Sequence, residues 1–369
     1  MTPTPFLLID NSVHNQDMYY ATRFLAPDQF LYLRSGDEEI LMVPEMELGR
    51  ARKESRISDI RTTADYRVIE KLKQYGRDRA QSRVISELLH DEGVTEVTVP
   101  HNFPVFLADE LRGDGFKITP VQSPIKKLRS VKTREEIEWI KKAQICCEAA
   151  MQSAIDLIRR ADIRRGVLTD SGSDQPLTSE QVRTAIERAL LDCGCESEGT
   201  IVAGGKDAAD PHNAGRGALR VDESIVIDIF PRLKMERYYA DMTRTVARGS
   251  LSRALSGMYD AVLDAQTAAL GVVRAGVSGE EVHDVVCGVF EDAGYRKLFI
   301  HSTGHGVGLD VHEAPHIGVG GEMLKAGNVI TIEPGLYDPE IGGIRIEDLV
   351  VVTKSGCENL TTIGKGFVV

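Results

Sequence analysis

Four of the nine histidines in this chain, His301, His305, His312 and His316, fall in one short window, and acids in β-rich apolar stretches flank it on both sides. Upstream, Asp228 sits in the middle of Ser224-Ile-Val-Ile-Asp-Ile-Phe230, where a buried carboxylate costs several kcal/mol unless it is paired or bound to a cation. Asp241 shares one face with Thr243 and Thr245 in the expected antiparallel partner strand, Tyr238 to Val246, by the period of two. Downstream, Glu333 closes the run from Asn328 just before Pro334-Gly335, and Gly343 to Thr353 puts Arg345 and Glu347 on the same face. Any one of these acids reads as a solvated strand residue or half of an ion pair. If all four converge, cations must relieve their repulsion. His305 with four carboxylates makes an oxygen-rich set holding one imidazole, which suits a pair of divalent ions of the Mn, Co or Zn kind. Two such ions about 3.5–4 Å apart can share a bridging hydroxide as nucleophile and polarise a carbonyl.

Other patterns in the window do not support different chemistry. His312-Glu-Ala-Pro-His316 matches H-E-x-x-H, but that pattern works only on a helix and Pro315 disrupts one. Gly304-His-Gly-Val-Gly308 lacks the following helix that a phosphate-cradling loop needs. The glycines around His305 instead predict a close approach to the backbone, by a metal or a substrate.

Jointly these stretches resemble the pita-bread metallopeptidases: methionine aminopeptidase, Xaa-Pro aminopeptidase and prolidase. Ala209-Asp-Pro-His212, Asp228, Tyr238-Tyr-Ala-Asp241, His301-Ser-Thr-Gly-His305 through His312-Glu, Thr331-Ile-Glu333-Pro-Gly-Leu-Tyr337 and Gly343-Ile-Arg345-Ile-Glu347 run in the family's order over roughly residues 128–369. The resemblance implies that Asp228, Asp241, His305, Glu333 and Glu347 are ligands to two divalent ions (Mn, Co or Zn), with Asp241 and Glu347 bridging. It makes Glu333 the general base and His212 and His312 the groups that stabilise the tetrahedral intermediate. His301 would line the pocket for the residue after the scissile bond, while Arg345 and Tyr238 would orient ligands and substrate. The first 125 residues resemble, more loosely, the creatinase-like N-terminal domain of the proline-directed members. The implied activity is therefore hydrolysis of Xaa-Pro peptides or dipeptides by a homodimer. Two alternatives on the same fold are a non-catalytic peptide- or protein-binding module and a metal-independent creatinase-like amidinohydrolase. Two departures stand out: the 228–241 hairpin is two residues longer than is usual in the family, and a polar insertion runs from Arg159 to Pro176.

The expected fold class is α/β (α+β), with domains at 1–125 and 126–369. The first is a creatinase-like α/β domain; the second is a pseudo-twofold pita-bread domain with a curved, mainly antiparallel sheet covered by helices. In the first, strands at Phe30–Leu33, Ile40–Pro44 and Val94–Val99 interleave with helical stretches such as Ala80–His90, and Thr119–Pro124 marks the boundary. Capping boxes at Thr133–Glu136, Thr178–Gln181 and Ser278–Glu281 each open a helix, and Trp139 in the first reads as a packing anchor. Glu180, Val182, Asp192 and Gly194 recur one hundred residues later, as does His212 in His312, which predicts a duplicated unit with these histidines across one cleft.

A formal charge of −12 argues against a general nucleic-acid binder, and 42% hydrophobic with 27% charged residues describes an ordinary globular chain. No run approaches the roughly 20 apolar residues of a membrane span. The N-terminal Met1–Asp10 lacks a basic region and a long apolar core, so it is not read as a signal peptide. Six cysteines in helix-like segments, with Cys193-Gly-Cys195 at a helix end, are read as reduced thiols of a cytoplasmic protein.

Overall fold

Alternation of apolar residues along the first strands builds the N-terminal unit. In the computed structural model, which describes residues 4–172 and 174–369, Leu7 and Ile9 of β1 (Phe6–Asp10) face one core while Phe6 and Leu8 face another. β2 (Phe30–Ser35) and β3 (Glu38–Val43) alternate in the same way, so both faces of the sheet need cover. β4 (Asp59–Thr62), β5 (Glu96–Pro100) and β6 (Lys117–Val121) complete a six-stranded mixed sheet in the order β4-β3-β2-β1-β5-β6. Helices α1 (Gln16–Thr22) and α2 (Leu48–Glu54) contribute to one core; α3 (Val68–Asp91) and α4 (Val105–Gly113) contribute to the other. After β6 comes α5 (Pro124–Ser130). The compact units are Met1–Arg129 and Ser130–Val369.

The second unit opens with α6 (Arg134–Arg160), N-capped by the Thr133–Glu136 box, in which each partner satisfies the other's backbone N–H. The polar stretch after it, expected as a loop, contains a hairpin of β7 (Asp162–Arg164) and β8 (Val167–Thr169). Its two-residue turn is Arg165-Gly166, both at positive φ, the geometry that matches strand twist. Of that stretch, Ser173 lies outside the described residues. α7 (Ser179–Asp192) starts from the Thr178–Gln181 box and ends at Cys193, followed by Gly194 at φ +76°.

β9 (Cys195–Glu196) leads to β10 (Ile201–Gly204), which pairs antiparallel with β11 (Ser224–Ile229). β12 (Arg232–Leu233) pairs with β9, and β13 (Met242–Ala247) pairs antiparallel with β11, so that Asp228 stands opposite Thr243. The longer 228–241 segment is thus spent on a two-stranded ladder beside α7, with an Arg232–Glu196 ion pair.

The second half repeats this plan. α8 (Arg253–Val272) is followed by α9 (Gly279–Asp292), which has the length of α7 at the expected offset and begins at the third capping box. β14 (Gly304–Gly306), β15 (Glu313–Ile317) and β16 (Val329–Ile332) follow. A short hairpin, β17 (Gly335–Asp338) and β18 (Gly342–Arg345), precedes β19 (Asp348–Val352) and β20 (Cys357–Asn359). The sheets β10-β11-β13 and β15-β14-β16-β19-β20 share a three-strand antiparallel core, β14-β16-β19 matching β10-β11-β13. His212 lies between the first two strands of one core and His312 between those of the other. The faces of α8 and α9 that bury Val262, Ala265, Val282 and Val286 pack with Ile330, Ile332, Ile344 and Val350. No helix among the described residues is long and apolar enough to cross a membrane.

Candidate metal centre

The two half-sheets deliver equivalent residues to one place. Asp241 immediately precedes β13 and Glu347 immediately precedes β19, so each half presents one carboxylate at the start of its third strand. One ligand atom each from Asp241, His305 and Glu347 lie within 4.8 Å of one another. His305 Nε2 is 3.2 Å from Glu333 Oε1 and 3.7 Å from Asp241 Oδ2. Its Nδ1–H donates to the Gly306 carbonyl at 3.1 Å, so Nε2 is the nitrogen turned toward the acids.

Asp228 joins through Arg345, whose Nη2 donates to Oδ2 at 2.6 Å. The same guanidinium donates to the Thr243 hydroxyl at 3.1 Å and to the Tyr337 hydroxyl at 3.0 Å. Thr243 in turn donates to Glu347 Oε2 at 2.7 Å. Arg345 and Glu347 therefore meet on Thr243 from one side, as the period of two requires. The strand expected from Gly343 to Thr353 is interrupted at residues 346–347, however. The break is satisfied from behind: fully buried Gln266 of α8 donates to the carbonyls of Ile332 and Ile346, both at 3.1 Å. Each carbonyl belongs to the residue just before an acid of the cluster, Glu333 or Glu347.

Burial grades through the site. Asp228, Asp241, Arg345 and Glu347 are buried, Glu333 and His305 are intermediate, and His212 and His312 are exposed. Burial first, then the neighbouring acids, pushes the Asp241 and Glu347 carboxyls well up. Burial also pushes Asp228 up, against the pull of Arg345. Desolvation acts on Glu333 and His305 as well, but their mutual hydrogen bond and the surrounding opposite charges together outweigh it, holding Glu333 down and His305 up. Desolvation lowers His301 and His312; for His312 the nearby His305 and His212 lower it further.

The donor set fits metal ions. Asp228 Oδ1 and Glu347 Oε1 are buried without a hydrogen-bond partner, a costly state for a carboxylate oxygen unless a cation completes it. Four carboxylates face the single guanidinium of Arg345, an imbalance that divalent cations remove.

The remaining expected site residues fall as follows. His301 donates from Nδ1 to the Ser302 carbonyl at 2.7 Å and accepts at Nε2 from the Tyr337 hydroxyl at 2.9 Å. His212 lies near enough to His312 to help lower it. Tyr238 is not brought to the acids: its hydroxyl donates to Glu136 of α6 at 2.7 Å, and its ring lies 5.3 Å from Trp139. The glycines of the 304–308 segment also need a different account. A Cβ on Gly304 would overlap the Thr331 carbonyl oxygen, and one on Gly306 the Ala314 carbonyl, so the close approach is by neighbouring strands. The H-E-x-x-H match lies in β15 and the turn before it, with His316 exposed. Sequence reasoning assigned no role to Thr243, Thr331, Tyr337 or Gln266. For Thr243 and Thr331 a signal was present, since each lies two residues from a cluster acid and on its face; Thr331 donates to Glu333 at 3.1 Å.

A pita-bread unit that buries a carboxylate–imidazole centre, preceded in the chain by a mixed α/β N-terminal unit, defines a class, the two-domain metal-dependent hydrolases. Within it, this chain belongs to metallopeptidase family M24, whose model matches residues 138–354, and residues 6–131 match the creatinase/prolidase N-terminal domain. It is a metalloexopeptidase. A Xaa-Pro dipeptidase from Pyrococcus furiosus is 33% identical over 330 residues, covering 88% of this chain and 85% of that protein. Among solved structures, the prolidase from Pyrococcus furiosus superposes with a TM-score of 0.80 at 28% identity, covering 98% of this chain and 96% of its own. The X-Pro aminopeptidase from Thermotoga maritima gives a TM-score of 0.80 at 28% identity, covering 99% of this chain and 97% of its own.

Proposed function

We propose that the chain hydrolyses the bond between a first residue and a following proline, with Xaa-Pro dipeptides as its substrates. The observation that carries this reading is the cluster of Asp241, His305 and Glu347, with its unpartnered carboxylate oxygens, lying deeper than the exposed His212 and His312. The similarity to the dipeptidase and prolidase named above supports the substrate class.

On this reading Asp228, Asp241, His305, Glu333 and Glu347 hold two divalent ions of the Mn, Co or Zn kind. When bound, such ions supply Lewis acidity toward the scissile carbonyl and ease deprotonation of the attacking water. Glu333, held ionised by His305 and reached from the more open side of the site, takes the water's proton on its carboxylate. His312 and His212, each with an exposed ring, are the hydrogen-bond donors this reading assigns to the developing oxyanion. His301, fixed at Nδ1 by Ser302 and at Nε2 by Tyr337, lines the pocket for the proline side. Arg345 donates to Asp228 Oδ2 and would orient that carboxylate as a ligand. We also read the protein as a cytoplasmic homodimer, in keeping with its six free thiols.

A second reading, release of the first residue from longer Xaa-Pro peptides, is favoured by the equal similarity to the Thermotoga aminopeptidase. Turnover of a Xaa-Pro dipeptide beside its tripeptide extension, with added Mn, Co or Zn and again after chelation, separates the two. Preference for the dipeptide, lost on chelation and in Glu333→Ala, is the expected result; undiminished activity after complete metal removal would overturn the mechanism.

A further inference from the structure

We infer that the ion pair between Lys132 and Glu313 is a positioning device that sets the His312 ring for the reaction. This rests on the role given to His312 above. Glu313 follows His312 in sequence, opens β15 and stands opposite Gly306, where the β14–β15 pairing shifts register beside His305. The connection carrying His312 therefore leaves the ladder at Gly306 and returns to it at Glu313. Its return end is held by charge: Lys132 Nζ lies 2.6 Å from Glu313 Oε1, with the two side chains only 1% and 8% exposed.

Both partners are themselves held. The Glu313 carboxylate folds back under the connection onto Gly308, where a Cβ would overlap it. Lys132 comes from far away in the chain, yet its backbone N–H donates to the Gly327 carbonyl at 2.8 Å, and Asn328 donates to the Ser130 carbonyl at 2.7 Å. That turn feeds β16, the strand that Glu333 immediately follows, and the next residue after Lys132, Thr133, caps α6. The His312 connection is thus referenced to the element that carries the general base. Above this anchor the His312 ring is exposed, 4.1 Å from His305. A buried ion pair contributes little net stability compared with apolar packing, but its directional bonds specify one arrangement. The connection beneath His312 needs that directionality.

The test uses the full-length protein loaded with Mn, a Xaa-Pro dipeptide, and the variants Glu313→Gln, Lys132→Met and Lys132→Arg. For the first two, kcat is expected to fall about 10- to 100-fold, with KM and bound Mn changed less than about twofold, because the fault is a misplaced ring. Lys132→Arg, which keeps the charge pair, should retain most of the activity. In a His312→Ala background Glu313→Gln should cost nothing further, whereas a merely structural pair would cost the same factor in both backgrounds. Equal loss in both backgrounds, or an unchanged kcat in Glu313→Gln, would overturn the inference. Should Glu313→Gln not fold, Glu313→Asp, which retracts the charge by one methylene, is expected to show the same split. If the wild type shows no metal-dependent Xaa-Pro turnover, the functional reading fails and the positioning claim is judged by NMR of labelled histidine rings. Shifted His312 resonances with unmoved His301 resonances in Glu313→Gln support it; unmoved His312 resonances overturn it.

Discussion

The rings of His305 and His312 stand 4.1 Å apart, edge to face at 68°, yet their environments drive them in opposite directions. Burial opposes charge on both. Glu333 nevertheless pulls His305 upward, while the neighbouring His305 and His212 add to burial in holding His312 down. An uncharged His312 that can donate from its ring suits an oxyanion partner. His312→Ala should therefore lower kcat about 10²- to 10³-fold, the usual cost of losing one such donor. Its metal content, measured by elemental analysis, should match wild type, whereas His305→Ala should lose metal.

Metal binding and pH are linked through the same acids. Asp228, Asp241 and Glu347 have folded pKa values raised by burial, above unfolded values near about 4. The folded state then binds protons more tightly than the unfolded chain, so the stability of metal-free protein falls as pH rises from about 4 through the raised values. Glu333 runs the other way, since its lowered pKa lends stability that is lost on acidification, but three groups oppose it. Thermal melts of chelated protein should therefore show a lower Tm at pH 8 than at pH 5.5, with added Mn raising Tm most at pH 8. Glu347→Gln should raise the Tm of the metal-free form by roughly 2–4 °C, the size of about 1 kcal/mol in a unit of this length.

Arg345 is the permanent cation of the site, bonded to Asp228, Thr243 and Tyr337 at once. Arg345→Met leaves the Asp228 carboxylate buried and unpaired, and should cost about 3–5 kcal/mol in urea unfolding of the metal-free protein. Arg345→Lys keeps the charge but has no planar fork to serve three partners. It should recover part of that stability while metal affinity, read by calorimetry, stays below wild type.

Gly304→Ala tests why glycine precedes His305. The added methyl meets the Thr331 carbonyl oxygen and the Thr331 hydroxyl, which accepts from the His305 N–H at 3.0 Å. The strand must shift, at about 1–3 kcal/mol or more, and His305 shifts with it. Weakened Mn binding together with a lowered urea midpoint is the expected result; a wild-type Mn affinity would contradict it.

Much of the local structure was legible because it depends on near neighbours in sequence. All three capping boxes form, the N-terminal strands alternate as their residues demand, and Glu333 directly follows its strand, before the Pro-Gly pair. The repeat at an offset of one hundred is visible in α7 and α9. What escaped was set by distant partners. The Arg165-Gly166 turn hides behind an arginine that tolerates positive φ only because the hairpin closes around it. Gln266 reads as one polar residue in an apolar helix until the carbonyls of Ile332 and Ile346 arrive from the sheet. Tyr238 was placed at the site by the resemblance alone, and its bond to Glu136 is a contact made across 102 positions.

By itself, then, the sequence determined which residues could carry the chemistry, on which strands they stand and which family's order they follow, since residue type and periodicity are local properties. The tertiary structure alone decided that Asp241 and Glu347 meet at the starts of the third strands of the two half-sheets, that two carboxylate oxygens are left unpartnered, and that His212 and His312 stay exposed while the acids sink. Convergence, burial and unmet hydrogen bonds are relations between groups far apart in the chain. They acquire values only when the two half-sheets close on each other.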